Sequence, residues 1–274
     1  MTSAAPYLVR LQLKEASVTG HDYPFHLPQI RNFDIELTAP VTFFVGENGT
    51  GKSTVIEAIA ALCRLPVSGG GRHDLAEHHG PERTSALAGA LRPSFRRRPR
   101  DAYFLRSEFQ AHFATLLDER SRDPDFTIAG GGDPYASYGG RSLHTRSHGE
   151  AFLAILHNRI RSGLLLFDEP ESALSPQRQL VLLAHMSMLV ASGHTQFIIA
   201  THSPILLTFP GAQILSFDGD AVRPVMLEET SHFQITKGIL HNPGSYWKYL
   251  RERPEDRPDD RSSDGPGDLP FDEE

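Results

Sequence analysis

The nine residues "GENGTGKST" (46–54) constrain this chain more than any other stretch. They match the pattern G-x-x-x-x-G-K-[ST] and lie between a short apolar run, "VTFFVG", and a segment of helical periodicity, "KSTVIEAIAALCRL". Strand, glycine loop and helix in that order are the context a phosphate-binding loop requires. Gly46, Gly49 and Gly51 let backbone N–H groups close around phosphate oxygens at the positive end of the following helix. The expected phosphate-binding set is therefore Asn48, Gly49, Thr50, Gly51, Lys52, Ser53 and Thr54. Within it, Lys52 reaches the β- and γ-phosphates, Ser53 ligates Mg²⁺ and Thr54 contacts the α-phosphate side.

Two later stretches complete such a site. "LLLFDEP" (164–170) is a buried strand that delivers Asp168 to the carboxyl edge of a sheet, where an aspartate holds Mg²⁺ directly or through water. Glu169 follows, placed to polarise an attacking water. "IIATHSP" (198–204) ends another apolar strand with His202, whose imidazole can hydrogen-bond a γ-phosphate.

Apolar strands alternate with helical segments along the rest of the chain. "DAYFLR", "GLLLFDE" and "TQFIIATHS" read as strands, whereas "SEFQAHFATLLDER", "GEAFLAILHNRIR" and "PQRQLVLLAHMSMLVAS" read as helices. That order implies a parallel sheet covered on both faces. "YLVRLQLKEASV" alternates as a half-buried strand does, and "AQILSFDGDAVRPVML" reads as a hairpin around "DGD". Residues 68–100, rich in Gly, Pro, His and Arg, read as a mobile insertion with one short helical possibility.

The net charge of −7 belongs mostly to the end of the chain. Residues 251–274 hold ten acidic and four basic side chains, so the other 250 sum to about −1. An acidic average therefore does not exclude a nucleic-acid partner. Cys63 is the lone cysteine, which excludes an intrachain disulfide. The N-terminus lacks a signal-peptide apolar region, and the most apolar window, 179–193, is too short to span a bilayer. The expectation is a soluble cytoplasmic protein without an integral membrane segment.

"GENGTGKST", then "SHGE" (147–150), then "LLLFDEPESALSP", then "THSP" resembles the ABC-type ATPase heads, over roughly residues 5–250. Within them the sequence is similar to the soluble non-transporter branch. That branch includes SMC and double-strand-break-repair heads, the overcoming-lysogenization-defect ATPases and small stand-alone AAA/ABC-like ATPases. "YPFHLPQIRNF" and "SPQRQL" look nearest to the stand-alone group. The resemblance implies an α/β P-loop NTPase fold with a mostly parallel central sheet, an antiparallel β subdomain and a helical subdomain. It implies one ATPase domain over 1–250, with an insertion and helical subdomain over 68–147, and an acidic, disordered tail over 251–274.

The resemblance also implies ATP and Mg²⁺ as cofactors, with hydrolysis at composite sites of a head-to-tail homodimer. Ser147 lies 21 positions before Asp168, where the family carries a Ser-Gly-Gly-Gln/Glu signature that caps ATP held by the other subunit. Ser147 and Gly149 take that role, and Glu150 caps the first helical turn. His148 stands where the family has glycine, and either adds a donor to phosphate or ribose or faces away. The metal- and water-contacting residue after the middle strand is Gln110 on chemistry and Glu108 on resemblance. Ser175 stands where transporters generally carry Asp, and Tyr23 or Phe25 either stacks on adenine or belongs to the core.

Arg96, Arg97 and Arg98, with Phe95, form a basic segment suited to DNA or RNA, to protein docking, or simply to solvent. About 92 residues separate Lys52 from the signature, too few for a long coiled-coil arm, and the segment after "THSP" is too short for an appended nuclease. Effector activity is thus expected in a separate protein. Two function classes remain: a soluble regulatory or motor ATPase acting on nucleic acid or a protein effector, and the nucleotide-binding subunit of an ABC membrane transporter. A Ser–His hydrolase and a metal site from His144, His148 and Glu150 lack the further residues such sites need, whereas "HDLAEHH" (73–79) binds a metal only if it forms an ordered helix and is otherwise a histidine-rich loop.

Overall fold

A computed structural model of the chain describes residues 5–14, 22–66, 69–71, 85–106, 110–123 and 133–251. Strand β1 (Leu8–Leu13) pairs antiparallel with β2 (Asp34–Glu36) on one side and with β5 (Leu91–Phe95) on the other. A register shift between Leu8 and Arg10 lets Leu8 and Leu11, three positions apart, both face the core.

The position of β5 corrects the expectation of a mobile loop. Leu91 is buried, Pro93 and Phe95 are half-buried, and Arg92 and Ser94 are exposed, so the stretch alternates as a strand does. Pro93 is tolerated because β5 is the outer strand of this sheet, where a missing N–H donor costs little. The anticipated short helix is α3 (Ala86–Ala90), whose N-cap Ser85 accepts from the Ala88 N–H.

Among the described residues the main sheet has seven strands in the order β10-β9-β3-β8-β7-β6-β4. Five are parallel: β3 (Val41–Val45), β6 (Ala102–Arg106), β7 (Gly163–Asp168), β8 (Thr195–Ala200) and β9 (Gln213–Ser216). The edges are antiparallel, β4 (Gly70–Gly71) and β10 (Arg223–Val225), and β9 with β10 makes the expected hairpin. Every residue of β3, β7 and β8 is buried, as in strands covered on both faces.

Alternate residues of these strands feed two cores. Phe43, Leu165, Phe167, Phe197 and Ile199 pack with Phe152 of helix α5 (His148–Arg159) and with Leu182 and Met186 of α6 (Pro176–Ala191). Phe44, Leu164, Leu166 and Ile198 pack instead with Ile56 and Ile59 of α2 (Lys52–Leu62), and with Leu8 and Leu11 of the small sheet. Helix α1 (Pro28–Arg31) adds Ile30 to that second core, and α4 (Gln110–Arg122) adds Ala114 and Leu117 to the first. Helices α7 (Pro204–Leu207), α8 (Ser231–His241) and α9 (Pro243–Arg251) complete the described elements.

One buried side chain ties the two sheets together. Gln196 on β8 accepts from the Tyr7 and Leu8 N–H groups at 2.8 and 2.9 Å, and donates to the Leu8 carbonyl at 2.8 Å. Among the described residues, no helix is long and apolar enough to cross a membrane.

Candidate functional site

Register brings the ends of the parallel strands to one level. Phe44 and Asp168 both pair with Ala200, Asp168 pairs with Arg106, and Val45 with Ser216. The chain leaves β3 through Gly46, Gly49 and Gly51, at φ of 139°, 84° and 96°, values that glycine alone adopts freely. Helix α2 therefore starts at Lys52 with its N-terminal N–H groups turned toward the sheet edge.

Lys52 is buried, and its Nζ donates to the carbonyls of Gly46 and Glu47 at 2.6 and 2.8 Å. Burial pushes its pKa down, against the pull of Glu169, Asp218 and Asp168. Ser53 Oγ donates to Asp168 Oδ1 at 2.9 Å. Asp168 is only 4% exposed, and burial pushes its pKa up to about 6 despite Arg106 and Ser53. Arg106, at the end of β6, reaches Asp168 Oδ2 with Nε at 3.3 Å and pairs with Glu57 through Nη1. The Tyr23 hydroxyl is hydrogen-bonded to Thr54 Oγ1 with its ring exposed, whereas Phe25 packs against the core.

Glu169 sits in the left-handed region at φ 48° and ψ 54°, which costs a non-glycine residue about 1–3 kcal/mol. The turn is held on both sides. The Glu169 N–H donates to Ala200 O at 3.0 Å, and its carbonyl accepts from the Ser172 N–H and hydroxyl. The Glu169 carboxylate consequently faces His202, with Oε1 3.6 Å from Nε2. His202 is fixed from two further directions. Its N–H donates to the buried Glu171 carboxylate at 2.6 Å, and its Nδ1 lies 2.8 Å from Nε2 of His232 on α8. Burial lowers the pKa of both imidazoles; at His202 Lys52 and His232 add to it, and Glu169 opposes.

Beneath this turn lies a buried network. Ser203 Oγ donates to Gln179 Oε1, Gln179 Nε2 donates to Leu174 O at 3.1 Å, and the Ser203 N–H donates to Thr201 Oγ1 at 3.0 Å. It couples the end of β8 to the start of α6. At the other side, Asp218 beyond β9 accepts from the Glu47 N–H at 2.8 Å and steadies the entry to the glycine loop.

"SHGE" forms the N-terminus of α5 as a full capping box: Ser147 Oγ accepts from the Glu150 N–H, and the Ser147 N–H donates to Glu150 Oε2. These hydrogen bonds hold the Glu150 carboxyl below the usual range. Arg178 of α6 donates to Ser147 Oγ at 3.1 Å and pairs with Glu150 at 3.5 Å. Gly149 is required by close approach, since a Cβ there would meet Arg178 and come within 2.8 Å of the Ala173 carbonyl. Ser147 and His148 are exposed. Ser175 caps α6 through the Arg178 N–H.

Gln110 begins α4, while Glu108 and residues 73–79 lie outside the described residues, as does the tail from 252 onward. Among the described residues there is no cluster of three or more His, Cys, Asp or Glu able to hold a metal. The sequence did not single out Arg106, Asp218, Glu171, Gln179, Ser203 or His232. The charge at the end of "DAYFLR" and the position of Asp218 just after the apolar run "QILSF" were the available signals for the first two; His232 had none.

The residues present fit a nucleoside triphosphate with a divalent cation. Among the described residues the Lys52 ammonium bonds only to carbonyls of its own loop, and the Ser53 and Asp168 oxygens form a hard pair beside it. Mg²⁺ needs no more protein ligands than these, since phosphates and water complete its shell. Fold and site together define a P-loop nucleotide-binding domain.

Family comparison is consistent with that class. Residues 25–109 match the profile described as "AAA domain", and residues 150–208 match "AAA domain, putative AbiEii toxin, Type IV TA system". The first match contains the glycine loop and the second contains Asp168, Glu169 and His202, so the chain is similar to AAA-domain ATPases over both halves of the site. A comparison with curated proteins finds no match. Among solved structures, the SMC head domain from Thermotoga maritima is similar at 17% identity, over 80% of this chain and 99% of that one, with a TM-score of 0.42. The cbiO1 protein from Clostridium perfringens, part of the ABC transporter complex cbiONQ, is similar at 16% identity over 89% and 98%, with a TM-score of 0.45.

Proposed function

We propose that residues 1–250 form a Mg²⁺-dependent ATPase domain that hydrolyses ATP at composite sites between two head-to-tail copies, as a regulatory or motor ATPase acting on nucleic acid or a protein effector. The observation that carries this reading is the alignment at one sheet edge of Lys52, the Ser53–Asp168 pair at 2.9 Å, and Glu169 facing His202.

Backbone N–H groups of Asn48 to Gly51 and the Lys52 ammonium bind phosphate oxygens. Ser53 and Asp168 hold Mg²⁺, which neutralises charge on the phosphates when bound. Glu169 orients the attacking water and accepts its proton, and His202 donates a hydrogen bond to the terminal phosphate from Nε2. Ser147 and Glu150 are exposed at a helix N-terminus, with Gly149 buried between them, and Ser147, Gly149 and Glu150 are assigned to the triphosphate of a second copy. Gln110 or Glu108 is proposed as the residue that contacts the metal, and the Tyr23 ring as the base-stacking surface.

The test is Glu169→Gln. It should slow hydrolysis by about 100-fold or more and accumulate an ATP-dependent dimer in size-exclusion chromatography. A variant that stays monomeric with ATP and turns over normally overturns the composite-site reading.

A further inference from the structure

The amino-terminal ends of β6, β7 and β8 lie at the sheet edge opposite the glycine loop. There Arg97, Arg98 and Arg100 line a cavity of about 380 Å³ together with Ser162, Gly163 and His194. We propose that this cavity binds the phosphodiester backbone of a nucleic acid. It is a second site, separate from the nucleotide site, and does not depend on the roles assigned there.

Three observations carry the inference. First, the positive charge is uncompensated. Among the described residues no carboxylate pairs with Arg97, Arg98 or Arg100, whereas Arg10, Arg106, Arg159 and Arg178 all have such partners. The one acid lining the cavity, Asp101, is already engaged. Its Oδ2 accepts from Arg159 Nη1 at 3.1 Å and its Oδ1 from the Ala102 N–H at 2.9 Å. Like charges gathered without partners repel one another, and a polyanion relieves that repulsion.

Second, the arginines stand on a fixed backbone. Strand β5 anchors the segment on one side, the Arg96 N–H donates to Tyr7 O at 2.8 Å, and buried Pro99 pins the chain between Arg98 and Arg100. The Arg98 guanidinium lies 5.2 Å from the centroid of the Phe95 ring. Little ordering is left for a ligand to impose, which raises affinity per contact.

Third, shape selects the ligand. Three guanidiniums along one segment exceed what a single phosphate group needs, and they match a chain of phosphates. A volume of about 380 Å³ has room for the phosphate and sugar of one strand, and contacts to phosphate and sugar position a strand without reading its sequence. Short polyphosphates share the charge but lack the sugar-linked phosphate spacing of a nucleic-acid strand.

The test measures binding of a fluorescein-labelled duplex DNA oligonucleotide by anisotropy, with wild-type protein and with Lys52→Ala to remove competition from the nucleotide site. Arg97→Ser/Arg98→Ser/Arg100→Ser should weaken binding by at least about tenfold. It should also reduce the slope of log K against log salt by roughly 2–3, as expected when about three phosphate contacts are lost. Arg31→Ser/Arg141→Ser/Arg223→Ser removes the same charge from exposed positions elsewhere and should leave both quantities nearly unchanged. Circular dichroism and the thermal midpoint verify that each variant is folded. Equal losses in the two triple variants, or no oligonucleotide binding by the wild type, overturn the proposal. Displacement of the oligonucleotide by tripolyphosphate at equal phosphate concentration and ionic strength shows a small-anion pocket and overturns it too. An acidic peptide binding the cavity while the oligonucleotide does not would identify a protein partner instead.

Discussion

His202 Nδ1 and His232 Nε2 share one hydrogen bond at 2.8 Å, and this bond links the end of β8 to helix α8, 30 residues further along the chain. Only one of the two nitrogens carries the proton. For His202 to offer Nε2–H on the side of Glu169, its Nδ1 must accept and His232 must donate. His232 thus positions the sensor and sets its tautomer. His232→Phe should lower kcat by roughly tenfold, about 1–2 kcal/mol, with a smaller change in KM, and His232→Gln, which keeps a donor, should recover much of it. An unchanged kcat in the Phe variant rules out the positioning role.

The same pair predicts an acid limb in the pH profile. Burial holds both imidazoles below their ordinary value near 6.5, so the native state prefers them neutral. Their contribution is fully present above about pH 6.5 and is lost as pH falls through the lowered folded values. The groups facing them are Lys52, which opposes protonation, and Glu169, Glu47 and Asp218, which favour it. Turnover and thermal stability should both decline below pH 6.5, and His232→Phe should flatten the stability loss. A stability curve level from pH 7 to 5 in the wild type contradicts this.

Asp168 carries the opposite sign. Its folded pKa of about 6 lies above the ordinary 3.8, so the ionised carboxylate is a liability in the ligand-free protein at neutral pH. The penalty is full above pH 6 and fades as pH falls toward 4. A net rise of about two units, with the attraction to Arg106 already included, corresponds to at most roughly 3 kcal/mol, and an amide keeps part of the desolvation cost. Asp168→Asn should therefore stabilise the ligand-free chain by about 1–2 kcal/mol at pH 7 while abolishing Mg²⁺-dependent hydrolysis. Denaturant titrations at pH 7 and pH 5 check it, because the gain should shrink at the lower pH.

The parts of this architecture that sequence shows plainly are those where local pattern and tertiary role coincide. "VTFFVG", "GLLLFD" and "TQFIIA" are unbroken apolar runs because both sheet faces are covered, and the glycine loop is written in residues that few other backbones need. Strand β5 escaped notice because Pro93 and the flanking arginines hide its alternation, and what makes it a strand is its partner β1, over 75 residues earlier. The contacts of Arg106 with Asp168 and of His232 with His202 are equally non-local. Nothing near "TSHFQ" announces that its histidine reaches the end of β8. The "SHGE" turn was legible as a helix start, but the need for glycine at its third position depends on the Ala173 carbonyl across the fold.

That dependence is testable. Gly149→Ala places a methyl group against the Ala173 carbonyl and Arg178. The guanidinium can swing away, whereas the carbonyl belongs to a turn held at both ends. The substitution should cost about 1–3 kcal/mol by forcing α5 away from α6. Adding Arg178→Ala should recover only part of it. Complete recovery in the double variant would show that the side chain alone sets the requirement.

Gln196 offers the sharpest measure of what joins the two sheets. Its amide satisfies two N–H groups and one carbonyl of the Tyr7–Leu8 segment, all buried. The register of β1 with β5 shifts between Leu8 and Arg10, next to this segment. Gln196→Leu fills the space but leaves three backbone polar groups without partners, each worth about 1–3 kcal/mol when buried. The loss should reach roughly 3–5 kcal/mol in urea denaturation, larger than for Gln196→Glu, whose carboxylate still accepts from both N–H groups while facing the Leu8 carbonyl. If Leu proves the milder change, hydrogen bonding does not hold the sheets together and the apolar contacts of Leu8 and Leu11 do.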